Sequence, residues 1–90
     1  MYVVRLKSID CIANIRVFKS QTLALAHFET GRNQVIDERL NETALFDVAS
    51  ASNPRVASRL VRDGSVAPSL IYPQPMTQAE AAAWLAGLNL

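Results

Sequence analysis

The chain has few bulky apolar side chains, and this limits what it can fold into. Half of its 90 residues are apolar, but 13 of these are alanine, and 31 belong to the larger types Leu, Val, Ile, Phe, Met, Trp and Tyr. Thirty-one such residues fill one small core, so we expect a single small domain over residues 1–90. Because alanine buries little area, the composition also favours a homo-oligomer, most simply a homodimer, in which a second copy adds burial.

The remaining composition excludes several classes of protein. Charged residues make up 19% of the chain and the net charge is +1, whereas a disordered chain needs low hydrophobicity and high net charge. No apolar run approaches the 18 residues of a membrane-spanning helix. Lys7 and Asp10 interrupt the apolar stretch that a signal peptide would need. We therefore expect a soluble, cytoplasmic domain that does not bind membranes.

Four segments favour β-strands because they are rich in β-branched and aromatic residues. In the first, Val4 and Leu6 alternate with Arg5 and Lys7, which places the two pairs on opposite faces of a sheet. The first two segments are close enough in the chain to pair as a hairpin. The predicted strands cover residues 2–7, 15–18, 43–49 and 70–72.

The segment from 34 to 49 allows two interpretations. Apolar residues recur at every fourth position from Ile36 to Val48, which indicates a helix. A helix would leave Phe46 on the polar side, whereas a strand places Ala44, Phe46 and Val48 together. We favour a short helical segment near 34–40, followed by the strand at 43–49.

Two helices have start and stop signals in the first two thirds of the chain. Ser20 is a candidate N-cap for a helix over about 21–30, with Gly31 as the residue that ends it. Asn53 is a candidate N-cap for a second helix, since Pro54 suits the first helical position. This second helix runs to about Asp63 and stops at Gly64. Its predicted buried side consists of Val56, Ala57, Leu60 and Val61.

A third helix is predicted near the end of the sequence, over about 78–86. A proline-containing spacer at 72–77 precedes it, and Thr77 with Glu80 forms a capping box. Trp84, Leu85 and Leu88 have the spacing of one helical face. A helix this short is marginal alone, so Trp84 should be buried. The simplest interpretation is that this helix packs on its own domain, and the alternative is a groove on a second copy or on another protein.

These elements predict an α+β fold, with a small mixed sheet of three or four strands and two or three helices packed on it. The order of elements allows a ferredoxin-like or a split βαβ arrangement.

The sequence contains no motif of a catalytic, metal-binding or phosphate-binding site. Cys11 and His27 are the only residues of their types, so a zinc site would lack ligands. Cys11 stands in an apolar stretch and is expected to be a buried, inert thiol, and His27 a partly buried packing residue. All three glycines suit helix ends, which leaves none for a phosphate-binding loop. We therefore expect no enzymatic activity, no catalytic residues, no metal site and no cofactor.

Charge is distributed unevenly along the chain. Residues 1–20 carry a net +3, residues 21–50 a net −3 and residues 51–90 a net +1. The simplest interpretation is that the first two segments complement each other within the fold. Asp37, Glu38 and Glu42 could in principle bind a hard cation, but a solvated surface is the favoured interpretation.

The most distinctive local feature is a row of arginines on the helix that follows Pro54. Arg55, Arg59 and Arg62 stand at i, i+4 and i+7, so they share one face. Three guanidinium groups in a row can contact the carboxylates of an acidic partner or successive phosphates. A solvated face whose arginines pair with Asp63, Asp47 or Glu42 is the simpler alternative.

Two functions from different classes follow. The first is a non-enzymatic protein-interaction or accessory module that acts through surface contacts, with another protein or with itself. Its candidate partner-binding residues are Arg55, Arg59, Arg62, Trp84, Leu85 and Leu88. The alternative is a nucleic-acid-binding regulator that uses the face formed by Arg55, Arg59 and Arg62.

Overall fold

The computed structural model describes residues 1–73, in which the elements follow the order ββαβαβ. The strands are β1 (Tyr2–Lys7), β2 (Ile12–Phe18), β3 (Glu42–Asp47) and β4 (Leu70–Tyr72), and the helices are α1 (Gln21–Ile36) and α2 (Pro54–Arg62). The predicted α+β class is confirmed. The predicted helix over 78–86, with Trp84, Leu85 and Leu88, lies outside the described residues. Within residues 1–73, no helix is both long and apolar enough to cross a membrane.

The four strands form one sheet in the order β2-β1-β3-β4, and every neighbouring pair is antiparallel. The sheet of the described residues is thus antiparallel, where the sequence suggested a mixed one. The reason is the position of β1, which separates β2 from β3. These two strands run parallel, and α1 connects them, so they form a split βαβ unit. The order ββαβαβ differs from the βαββαβ of a ferredoxin-like fold, which therefore stays unestablished.

Both faces of the sheet are covered. Val3 and Val4 are neighbours on β1 and point to opposite faces, yet each is 0% exposed. On one face, Val4 packs in a cluster with Ala24 and Phe28 of α1. On the other, Val3 packs in a cluster that includes Val61 of α2. The two helices thus lie on opposite sides of the sheet, and the core has two layers.

The strand interpretation of residues 43–49 is confirmed. Ala44, Phe46 and Val48 are all buried on the α2 side. The short helix near 34–40 is wrong, because α1 runs to Ile36 and the chain then turns, with Glu38 at a φ of 62°. Leu40 is apolar because it packs from this turn against the cluster that contains Val4, Ala24 and Phe28, and not because it lies on a helix.

The predicted end of α1 at Gly31 is also wrong. Gly31 is a buried residue in the middle of the helix. A Cβ atom at this position would lie 2.5 Å from Leu6 Cδ2 and 2.5 Å from Thr43 Oγ1. The glycine therefore lets the helix backbone approach the sheet closely. Gly64, in contrast, follows α2 at a φ of 71°, as predicted for a glycine that ends a helix.

The hairpin of β1 and β2 is confirmed, but β2 begins at Ile12 rather than at residue 15. A β-bulge shifts the register between Leu6 and Lys7. Cys11 is exposed in the turn between the two strands, so its predicted burial is wrong. The apolar residues near it do not form a core, since Ile9 in the same turn is 82% exposed.

Candidate functional site: the arginine face of α2

α2 has a well-defined start and a buried side. Asn53 is the N-cap, and its Oδ1 accepts a hydrogen bond from the backbone N–H of Val56 at 3.0 Å. Ala57 and Val61 are buried at 0% and 1% exposure and hold the helix against the sheet. Val56 and Leu60 are half-buried beside them. The buried side of α2 is therefore the one that the sequence predicts.

The opposite side of α2 carries Arg55, Arg59 and Arg62, and all three are exposed. At 3.6 residues per turn they fall within an arc of about 60°, and they span about 10 Å along the helix axis. Together they form what we call the arginine face. It borders an open concavity of about 600 Å³, lined by Pro54, Arg55, Ser58, Arg59, Arg62 and Asp63.

No carboxylate of the described residues forms an ion pair with the arginine face. The ion pairs in this part of the chain are Arg5 with Glu42, at 2.7 Å, and Arg32 with Glu29, at 2.8 Å. The sequence also allowed Glu42 to pair with the arginines of α2. In the structure Glu42 instead forms an ion pair with Arg5. This pair also joins the basic first segment of the chain to the acidic second one, as the charge distribution suggests.

Two local interactions give arginines of this face a structural role that needs no partner. Arg59 and Arg62 lie in the last turn of α2, where a positive charge stabilises the helix by about 0.3–1 kcal/mol through its interaction with the helix dipole. Arg62 Nε donates a hydrogen bond to Ser58 Oγ at 3.4 Å. Neither interaction neutralises a guanidinium charge, so the face stays cationic and open to an anion. The helical spacing could have identified Ser58, which stands four residues before Arg62.

His27 and Cys11 lie at opposite ends of β2. The His27 ring packs 5.5 Å from the Phe18 ring, at the end of that strand. Cys11 directly precedes its first residue, so about 20 Å separates the two regions at 3.3 Å per residue. His27 is a half-buried packing residue, as predicted. The fold does not bring a thiol and an imidazole together for catalysis.

Burial lowers the pKa of His27, and the positive charge of Arg16 lowers it further. The Nε2 atom is buried and has no hydrogen-bond partner in the described structure. Both effects favour the neutral form of the imidazole, which lies next to an aromatic ring. The Cys11 thiol contacts Ser8, with 3.4 Å between Sγ and Oγ.

The acidic residues do not assemble a metal site in the described part of the chain. Nowhere in residues 1–73 do three or more His, Cys, Asp or Glu side chains come together as metal ligands would. Asp37 and Glu38 are exposed in the turn after α1, while Glu42 bonds to Arg5.

Comparisons with family models, with curated proteins and with solved structures gave no match to this chain.

Proposed function

We propose that this protein is a non-enzymatic interaction module that binds an acidic segment of a partner protein through the arginine face of α2. One observation carries the proposal. Arg55, Arg59 and Arg62 are exposed in one row, and none of them bonds to a carboxylate of the described residues.

The chemistry of arginine supports an acidic partner. A guanidinium group presents its donors in a planar fork that matches a carboxylate, so each arginine can form a bidentate ion pair. The backbone that carries the face is also fixed, because Ala57 and Val61 pack α2 against the sheet. The fixed helix backbone keeps the three arginines at a constant spacing, which favours recognition of a peptide with acidic residues at similar spacing.

Nucleic acid is the second candidate, since a row of three arginines also matches a phosphate backbone. Two features favour a protein partner. The net charge of the whole chain is only +1, whereas nucleic-acid-binding domains are usually strongly basic. Within residues 1–73 no aromatic side chain is fully exposed, so a stacking surface for single-stranded bases is missing there.

The proposal is tested by fluorescence anisotropy with three labelled probes: a peptide of alternating Glu and Gly, a random-sequence DNA duplex and a random single strand. We expect the peptide to bind at low salt and to dissociate as salt rises, because the contacts are exposed charge pairs. Replacing Arg55, Arg59 and Arg62 by alanine should weaken binding by about threefold to 150-fold, because each of three exposed pairs contributes about 0.2–1 kcal/mol.

The control is a triple variant with the same change in net charge. Arg16, Lys19 and Arg39 are exposed outside α2, and their replacement by alanine should leave peptide binding within about twofold. Equal weakening by both triple variants would show that net charge alone drives binding. Preferential binding of either oligonucleotide would favour the nucleic-acid candidate.

We also propose that the protein forms a homodimer, as its alanine-rich composition favours. Light scattering over a range of concentrations measures this directly, and a constant monomer mass would refute it. Binding by the arginine face does not depend on the outcome.

A further inference from the structure

β2 and β4 are the two edge strands of the sheet that residues 1–73 form. β4 has three residues, whereas β2 has seven, and no described strand pairs with the outer side of β2. A long open edge can pair with another strand, and proteins usually protect it with prolines or several charged side chains. β2 contains no proline, and Arg16 is its single charged residue. Its outer side is therefore suited to bind a further strand.

The hydrogen bonds of β1 show which backbone groups of β2 point outward. Met1 N donates to Val48 O at 3.3 Å, and Val48 N donates to Met1 O at 2.8 Å. Doubly bonded pairs alternate with non-bonded pairs along antiparallel strands, so the odd-numbered residues of β1 bond to β3 and the even-numbered ones to β2. Up to the bulge, even-numbered residues of β1 pair with even-numbered residues of β2. The N–H and C=O groups of Ile15 and Val17 consequently point to the open edge.

We propose that this edge binds a second copy of itself: the β2 strands of two molecules pair antiparallel about Ile15, and the two sheets join into one. The inference rests on the homodimer proposed above and assigns its interface. It does not depend on binding by the arginine face, which lies on another element.

The strand β2 is self-complementary when it pairs about Ile15. Ile15 is the middle residue of Ile12–Phe18, so this register gives the longest overlap of the two strands. It sets the outward backbone groups of the two copies opposite each other, and it places Arg16 opposite Asn14 of the second copy. The side-chain oxygen of Asn14 can accept a hydrogen bond from a guanidinium group. Pairing about Arg16 instead would set two like charges directly opposite each other, which is destabilising.

The apolar side chains of β2 also favour this pairing. Ile15 and Val17 are half-buried and pack at the margin of the cluster that contains Val3 and Val61. The two-fold axis of two identical antiparallel strands is perpendicular to the sheet, so equivalent faces of both copies lie on the same side. Directly opposite residues have Cβ atoms about 5 Å apart, so the two Ile15 side chains meet on the α2 side. The pairing thus extends this cluster across the interface and adds burial to a small core.

A change of charge at position 14 tests the register, with dimer dissociation measured by sedimentation equilibrium. Asn14→Arg brings like charges together at two symmetric positions and should raise the dimer Kd by about twofold to thirtyfold, at the strength typical of cross-strand pairs. Adding Arg16→Asp to this variant restores opposite charges and should return the Kd to the wild-type value or below. Asn33→Arg is the matched control, because Asn33 is exposed on α1 and gains the same charge. It should leave the Kd unchanged, and circular dichroism confirms that each variant is folded.

Amide hydrogen exchange gives an independent readout on the unmodified protein. The amides of Ile15 and Val17 bond to the second copy in the dimer, so they should exchange slowly there and faster after dilution below the Kd. The amides of Asn14 and Arg16 bond to β1 in either state and serve as the internal control.

Three results would overturn the proposal. A wild-type protein that stays monomeric refutes it together with the homodimer, while peptide binding by the arginine face still stands or falls by its own titration. A dimer whose Kd responds equally to Asn14→Arg and Asn33→Arg refutes the edge assignment alone. Slow exchange of the Ile15 and Val17 amides in a monomer shows that another part of the same chain covers the edge.

Discussion

α1 and α2 cover opposite faces of the same sheet, but they do so by different means. α1 is long, and Gly31 allows its backbone to approach Leu6 and Thr43 closely. α2 has nine residues and is held by Ala57 and Val61, while its other side carries three exposed arginines.

The difference teaches where function can reside in a small domain. The inner side of α1 has little tolerance for change, because its packing depends on a missing side chain. In α2 the residues that pack against the sheet and the arginines that we propose bind a partner lie on different faces, so the arginine face can change without cost to the core. Substitutions that affect stability should therefore lie on the inner sides of both helices, and those that affect binding on the outer side of α2.

The largest loss of stability is expected for Gly31→Val. The new side chain must displace Thr43, and we expect the free energy of unfolding to fall by about 3 kcal/mol, although replacing glycine favours the helix by itself. Urea denaturation measures the change. Asn33→Val is the matched control, because Asn33 is exposed on the same helix, and it should cost less than about 0.5 kcal/mol. Similar values for the two variants would contradict the close approach of α1.

A second prediction compares the two sides of α2. Val61→Ala removes a buried side chain and should cost about 2 kcal/mol. Arg59→Ala, two residues earlier, should cost less than about 1 kcal/mol, because it removes only an exposed charge that interacts with the helix dipole. Denaturant titrations measure the loss of unfolding free energy in each variant. A loss of stability in Arg59→Ala as large as in Val61→Ala would make the arginine face part of the fold.

The two N-caps should also differ. Asn53→Ala removes the hydrogen bond to Val56 and should cost about 1 kcal/mol. Ser20→Ala should cost less, because Ser20 Oγ accepts from Leu23 N–H at the longer distance of 3.3 Å. Thermal unfolding of the two variants tests this order. A larger effect at Ser20 would contradict the order that the two hydrogen-bond lengths predict.

The smallest effect concerns pH. An exposed histidine has a pKa near 6.5, and folding lowers the pKa of His27 below that value, through burial and then Arg16. The unfolded chain therefore binds this proton first, so the free energy of unfolding should fall as the pH decreases from about 7 to 5. His27→Gln should show a weaker decrease over the same range. If the variant and the wild type lose stability in parallel, His27 does not contribute.

The boundaries of α2 could be predicted because its signals are local. Asn53, Pro54 and Gly64 each act on adjacent backbone, and the alternation in 43–49 depends only on neighbouring residues. The end of α1 could not be predicted in the same way. A glycine is typical of a helix end, but Gly31 lies within α1. It is needed there because the helix backbone approaches Leu6 and Thr43, which are distant in sequence.

The candidate site shows the same limit. The row of Arg55, Arg59 and Arg62 follows from helical spacing and is found exposed as expected. That Glu42 bonds to Arg5 rather than to this row depends on the pairing of β1 with β3. Local sequence gives no information on that pairing. The exposure of Cys11 likewise follows from the length of the turn and not from its apolar neighbours.

The most direct test of the interaction surface is an NMR titration of the isotope-labelled protein with the Glu–Gly peptide. We expect the largest backbone amide shifts within residues 55–63, with little change along α1. The shifts should saturate with the affinity measured by anisotropy. Shifts centred on α1, or no shifts along α2 at peptide concentrations that saturate the anisotropy signal, would contradict the assignment of binding to the arginine face.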